Sequence, residues 1–505
     1  MVIAIGLDSM DLDLIRRYAD EGHLPFYSTL FNQNNIQKAL SFSSISSGST
    51  WPSITTGTNP GRHSIAFSHR QLKKGSYDIE KRTADNIKEP FLWKYALDAG
   101  KKVCVFDIPK TIPYTHENLK IIVGWGAESW SYPRCSHPED LLQKIIDKHG
   151  EWPLIEWYHQ QPRNEEGWDL LSENLHKALD IRINIIRDLI SDDQTDLFFS
   201  VITETHMFGH FYQHWYLTNH PQYEERLAQK YQAQFLAALK KIDSFHLEIK
   251  DKYPEAVLLT MSNSGMGPNF TGTHLLNPML EKLGYKKPGK KKKWRPDLYT
   301  LENWIGPDNL HFIKKLFPTK FWNDITRKAL HSDATWSESQ VFVLPSDHTG
   351  NLRINLKGRE PQGKVSEGEE FESLCQRIKE DLMTFKNLET GNQLVKDVLR
   401  IAEITKGSFT DHLPDLAVLW QNEAPVNKIH SPLTGEISGS LRDKRTGSHL
   451  PYGFFGIAGQ EYECPLTEIR LEDIAATILQ LTGVETPNNL EGKNLIKHKK
   501  TYDLQ

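Results

Sequence analysis

Cysteine is nearly missing from this chain. Cys104, Cys135, Cys375 and Cys464 are the only four in 505 residues, and no two stand at a metal-ligand or redox spacing. That excludes a disulfide framework and a cysteine-rich zinc module, and predicts reduced, structural thiols. Long apolar runs are also lacking: none reaches the roughly 20 residues that a membrane-spanning helix needs. The N-terminus, Met-Val-Ile-Ala-Ile-Gly-Leu-Asp, has neither the basic segment nor the small-residue cleavage site of a secretion signal. A cytoplasmic protein is the expectation. Charge of one sign is scarce too. Sixty basic against 65 acidic side chains leave a net charge of −5, too weak a field to imply a nucleic-acid or membrane partner. No internal repeat or long low-complexity tract is present.

What is there is an ordinary globular composition, 38% hydrophobic and 25% charged. The length suits two to four average domains, or one large α/β domain with insertions. Short apolar runs at Val2–Leu7, Val103–Ile108, Leu197–Val201, Val257–Met261, Leu416–Trp420 and Phe454–Ala458 read as buried strands. They are continuously apolar rather than alternating, as strands covered on both faces are. Helical patterns lie between them, at Pro138–His149, Trp168–Ile190, Tyr223–Lys250 and Glu369–Phe385. The spacing predicts a mostly parallel sheet with helices on both faces and functional residues at strand carboxyl ends. Residues 275–344 break the rhythm and read as an inserted cap between core segments 1–274 and 345–505. Their Lys286–Arg295 run reads as a solvated loop able to attract an anion.

Five segments carry candidate chemistry. Asp8 ends the first strand, where a carboxylate faces the crevice beyond the sheet and is open to a cation. Ser46, Ser47, Ser49 and Thr50 precede a helix start; such hydroxyls often only cap. Directly after the Leu197–Val201 run, His206 and His210 stand four apart and share one helical face. Such a pair can hold one metal, with Glu204 as third ligand or outer carboxylate, although histidines four apart also occur by chance. His214 reads as peripheral. Asn263 and Ser264 follow the Val257–Met261 run and offer only neutral oxygens. His449 precedes the last apolar run.

In this order the segments resemble the alkaline phosphatase superfamily, in particular its type I phosphodiesterase and nucleotide pyrophosphatase branch. There a Ser, Thr or modified Cys stands ten residues before the Gly of a Thr-Gly pair; counting back from Gly57 reaches Ser47. The proline usual two residues later is Ser49 here, so Thr50 is the second choice. The trailing turn with Asn59, Arg62 and His63 is mainly structural in relatives. The resemblance implies an alkaline-phosphatase-like α/β core with an inserted cap, and a divalent metal, zinc foremost. Its implied ligand set is Asp8, Ser47, Glu204, His206, His210, Asn263 and His449. Relatives read Ser-Asp-His-Gly-Met-Gly where this chain has Ser262-Asn-Ser-Gly-Met-Gly267, so one metal position is complete and the second depleted. Arg353–Gly363 and the helix-like stretch from Asp473 also match family segments.

The activity implied is metal-dependent hydrolysis or transfer at a phosphoester, phosphodiester or pyrophosphate of a small phosphorylated substrate, with Ser47 as nucleophile. Two alternatives stay open. One is a degenerate member that binds without turnover. The other is a hydrolase of sulfate esters or carbon–phosphorus bonds, with the missing Cys at position 47 counting against a formylglycine sulfatase.

Overall fold

The computed structural model describes residues 1–498 apart from 45, 66–69, 127–133, 155–161, 163, 192–194, 290–334, 347–348, 442, 460 and 465–467. Its centre is a nine-stranded sheet. The first strand, Val2–Leu7, pairs in parallel with Leu197–Ile202 on one side and Val257–Ser262 on the other. Beyond Leu197–Ile202 come the parallel strands Val103–Phe106 and Leu119–Val123, then the antiparallel edge Cys135–His137. Beyond Val257–Ser262 comes Tyr452–Ala458, antiparallel to it, followed by Ile36–Leu40 and Ile469–Arg470.

The first strand explains why the apolar runs do not alternate. Ile3, Ile5 and Leu7 join one buried cluster, whereas Val2 and Ala4 join another on the opposite face. The first cluster is closed by helices Leu12–Asp20, Pro25–Asn32, Glu165–Ile190 and Glu225–Lys252, the second by Thr50–Thr56, Leu92–Asp98 and Asp473–Leu481. Local chemistry sets several helix ends. The Asp11 side chain accepts from Leu14 N, and Asn164 from Gly167 N at the start of the 26-residue helix. Gly57 ends Thr50–Thr56 at φ +67°, where a Cβ would also lie 2.9–3.0 Å from Leu490 and Ala475. Val103–Phe106 stops two residues short of the apolar run, because Asp107 turns the chain at φ +54°.

A second body carries its own core. Strands Val341–Val343, Gly350–Ile354, Leu416–Trp420 and Val395–Arg400 form an antiparallel sheet packed on helices Thr273–Lys282 and Glu369–Leu382. Leu416–Trp420 is therefore a strand as expected, but of this sheet. Leu416, Val418 and Trp420 enter one cluster and Ala417 another, so both its faces are covered here too. Of the expected 275–344 insertion, residues 290–334 lie outside the described residues, including 290–295 of the basic run. The described flanks of that segment join this second body. Lys286 is buried, with Nζ 2.7 Å from Glu281. Among the described residues no helix is long and apolar enough to cross a membrane.

Candidate metal and nucleophile site

The carboxyl ends of Val2–Leu7, Leu197–Ile202 and Val257–Ser262 meet at one sheet edge and deliver Asp8, the helix Glu204–Tyr212, and Asn263. Tyr452–Ala458 runs the other way, so its start lies at that same edge. The strand before it, Gly447–Leu450, pairs with Gly265–Pro268 and sets His449 opposite Met266. Gly447 permits this approach, because a Cβ there would run into the Gly209 carbonyl. Thus Gly209, between the two helical histidines, is where the ribbon docks.

His206, His210 and His449 converge. One ligand atom from each lies within 4.8 Å of the others, and ring centroids are 4.5–5.2 Å apart. His210 Nδ1 is 2.9 Å from the Gly447 carbonyl, which makes Nδ1 the protonated nitrogen and Nε2 the electron-pair donor. His206 Nδ1 lies 3.4 Å from Asp8 Oδ2, while its Nε2 is buried without a protein hydrogen-bond partner. His449 Nδ1 stands 3.2 Å from Ser9 Oγ and 3.1 Å from Ser264 Oγ. Three imidazoles with outward-oriented partners and one orphaned buried nitrogen suit a divalent cation that accepts nitrogen ligands.

Glu204 does not join them, which corrects the expectation. Its Oε2 accepts from Arg182 Nε at 2.7 Å and its Oε1 from Trp152 Nε1 at 2.9 Å, at 1% exposure. Arg182 also donates to Asp107 at 2.9 Å, the Val201 carbonyl at 2.9 Å and Thr203 Oγ1 at 2.7 Å. The carboxylate thus anchors the first turn of the histidine helix instead of facing its His side. Sequence reading missed this anchor. Its signal was a lone Arg182 among Leu179, Ile183 and Ile186 on an apolar helix face.

The other half of the site is hydroxyl-rich. Asp8 Oδ1 accepts from Trp51 Nε1 at 2.9 Å and from Ser9 Oγ at 3.3 Å. Asn263 Oδ1 accepts from Ser9 N at 2.8 Å, and its Nδ2 donates to Thr50 Oγ1 at 2.9 Å. Thr50 is fully buried and donates in turn to the Ser47 carbonyl at 2.8 Å. Ser47 is partly exposed. It borders a cavity of about 60 Å³ with Ser46, Ser448, His449, Thr271 and Trp420, the last from the second body. The amides after Ser47 are spoken for: Gly48 N donates to Ser46 Oγ, Ser49 N to the Ser46 carbonyl and Thr50 N to the Ser47 carbonyl. They do not form the anion cradle that a hydroxyl-rich helix start suggests.

The trailing turn is structural, as its resemblance implied. Asn59 holds Glu491 and the Lys406 carbonyl, and Arg62 pairs with Glu89. His63 Nδ1 accepts from Ile65 N, so Nε2–H faces Ser53 Oγ at 3.0 Å. Complete burial pushes His63 down to about 3. The unfolded chain takes up this proton below about 6.5; the folded chain refuses it until near 3. Stability is therefore full above the unfolded value and falls with pH through that window, by about 1.4 kcal/mol per unit for this residue. Urea titrations between about pH 7 and pH 5.5 should show a shallower loss in His63→Gln than in wild type; parallel slopes would refute the assignment. His214 sits aside, with Nδ1 3.1 Å from Thr446 Oγ1 and its ring against Trp168 and Trp215.

A largely parallel sheet wrapped by helices, with three histidines converging at its carboxyl edge, makes this an α/β protein with a candidate metal site. A family model described as type I phosphodiesterase / nucleotide pyrophosphatase matches residues 2–424, and the chain belongs to that family. Family membership makes it an enzyme of phosphoester or phosphodiester hydrolysis, in a family whose members depend on metal. His449 lies beyond the matched segment. Among solved structures the chain is similar to Sinorhizobium meliloti phosphonoacetate hydrolase in complex with phosphonoacetate, at 12% identity over 95% of both chains with a TM-score of 0.48. It is also similar to murine ectonucleotide pyrophosphatase / phosphodiesterase 5, at 11% identity over 97% of this chain and 96% of that one, with a TM-score of 0.44. No curated protein sequence matches it.

Proposed function

We propose that the chain cleaves a phosphoester or phosphodiester of a small substrate, with Ser47 as nucleophile beside a divalent cation, zinc foremost, on His206, His210 and His449. The observation that carries this reading is the cavity wall that Ser47 shares with His449. Thr50, the competing hydroxyl, is fully buried and engaged by both Asn263 and the Ser47 carbonyl. Its work is to fix the turn that presents Ser47.

A cation bound on the three imidazoles supplies Lewis-acid polarisation of a phosphoryl oxygen. The chain's own part is placement. Gly447 and Thr446 hold the His210 helix through the His210 carbonyl and ring, and Asp8 holds His206. Ser47 Oγ attacks phosphorus in line as the bond to the departing ester oxygen breaks, and the hydroxyl proton ends on that leaving oxygen. The phosphoseryl group that results is released to water, which restores the hydroxyl.

Bis-p-nitrophenyl phosphate turnover tests this. Ser47→Ala should lose at least about a thousandfold in kcat, as removal of a covalent nucleophile does, while Thr50→Ser keeps most of it. Quenched wild-type reactions should carry a p-nitrophenyl phosphoryl group on the peptide containing Ser47. Turnover of Ser47→Ala within tenfold of wild type would sink the reading.

A further inference from the structure

The two halves of this site differ in what they offer a cation. The histidine half presents three imidazoles. The other half holds Asp8, Asn263, Ser264, Ser9 and Thr50, and its members already bind one another. Asn263 is held at both ends of its amide, by Ser9 N at 2.8 Å and Thr50 Oγ1 at 2.9 Å. Ser264 is fully buried and donates to Ser9 Oγ at 3.2 Å, with His449 Nδ1 3.1 Å away. The neighbouring hydroxyls are tied down as well: Ser262 Oγ donates to the Ser264 carbonyl at 2.7 Å, and Ser41 Oγ to the Asn263 carbonyl at 2.7 Å.

Asp8 is the one charge in this half. Both its oxygens are engaged, Oδ1 by Trp51 Nε1 and Ser9 Oγ, and Oδ2 facing His206 Nδ1. Calcium needs a cage of about six to eight oxygen ligands, and zinc draws its affinity from thiolate, imidazole or carboxylate. One shared carboxylate among neutral oxygens meets neither demand. The residues of this half therefore do not fit a second metal.

We infer that the chain binds one divalent cation, on His206, His210 and His449, and that Asp8 serves it from outside, by holding the Nδ1–H of His206 so that Nε2 faces the metal. The hydroxyl and amide network stands where a second cation would otherwise lie, and keeps the turn bearing Ser47 in register with the strand bearing Asp8. Asp8 is thus a positioning residue. This inference rests on the three-histidine reading of the site, but its readout is metal binding and does not need turnover.

The full chain, stripped with a chelator and titrated with Zn²⁺ by calorimetry, should take up one equivalent, and elemental analysis after desalting should agree. Asp8→Asn should keep that one equivalent but bind about 10- to 100-fold more weakly, the usual cost of losing the carboxylate behind a metal-bound histidine. His206→Ala should weaken binding further. Two equivalents in wild type would overturn the inference, as would Asp8→Asn with unchanged affinity. Wild-type uptake decides the stoichiometry whether or not a variant folds, and circular dichroism of Asp8→Asn separates weakened binding from unfolding. One bound cation with no Ser47-dependent hydrolysis would refute the proposed function and leave this inference standing.

Discussion

Arg182→Ala should lose about 3–5 kcal/mol of stability, the cost of stripping one partner from a buried ionic network. The magnitude follows from what is left behind. Asp107 and Glu204 are both buried, and both spend a carboxylate oxygen on the guanidinium. Without it, two buried carboxylates face a low-dielectric interior with no cation beside them, Glu204 still accepting from Trp152 Nε1 and Asp107 from Gly126 N. The Phe106 and Trp125 rings that now flank the guanidinium, 5.6 and 5.1 Å from their centroids, would offer no compensation. Arg182→Lys should recover part of the loss. An ammonium restores the charge, but its three donors on a flexible stem do not reproduce four hydrogen bonds to four separate groups. Urea unfolding of the three proteins measures this. A change under about 1 kcal/mol for Arg182→Ala would mean that water reaches the network and that the helix bearing His206 and His210 is anchored elsewhere.

Much of this was written plainly in the sequence, and the exceptions share a physical cause. Continuous apolar runs marked five strands of the central sheet, because a strand buried on both faces has no polar side to hide its period. Ile36–Leu40 escaped that reading since Gln37 and Lys38 interrupt its apolar run, and Cys135–His137 is too short to carry a pattern. Leu416–Trp420 was legible as a strand, whereas its sheet was not; partner choice is a long-range property that an apolar run does not encode. The histidine pair was legible because four-residue spacing on a helix is local geometry. Glu204 misled for the same reason: two residues from His206 in sequence, it projects to a different side of the helix and meets an arginine 22 positions upstream. Depletion of the second half was visible as Asn263 and Ser264, but the network that fills it joins residues more than 200 positions apart.

His449→Ala should be as damaging as His210→Ala, although only His210 lies inside the segment that the family model matches. His449 reaches the site through a ribbon whose register is fixed by Met266 opposite it and by the Gly447 carbonyl on His210. Removing either imidazole leaves two nitrogen donors, below the three that a catalytic site of this kind keeps. Cation affinity and ester turnover should each fall by on the order of a thousandfold or more in both variants. The outcomes differ in one respect. His210→Ala also releases the Gly447 carbonyl, so it should lower thermal stability of the metal-free chain; His449→Ala releases the Ser9 and Ser264 hydroxyls, which still bind each other and Asp8, so its loss should be smaller. Zn²⁺ titration, turnover and metal-free melting curves measured on the same preparations separate these effects. Full metal affinity in His449→Ala would detach the ribbon from the site and reduce the cluster to a pair of helical histidines, which alone would not hold a cation against competing chelators.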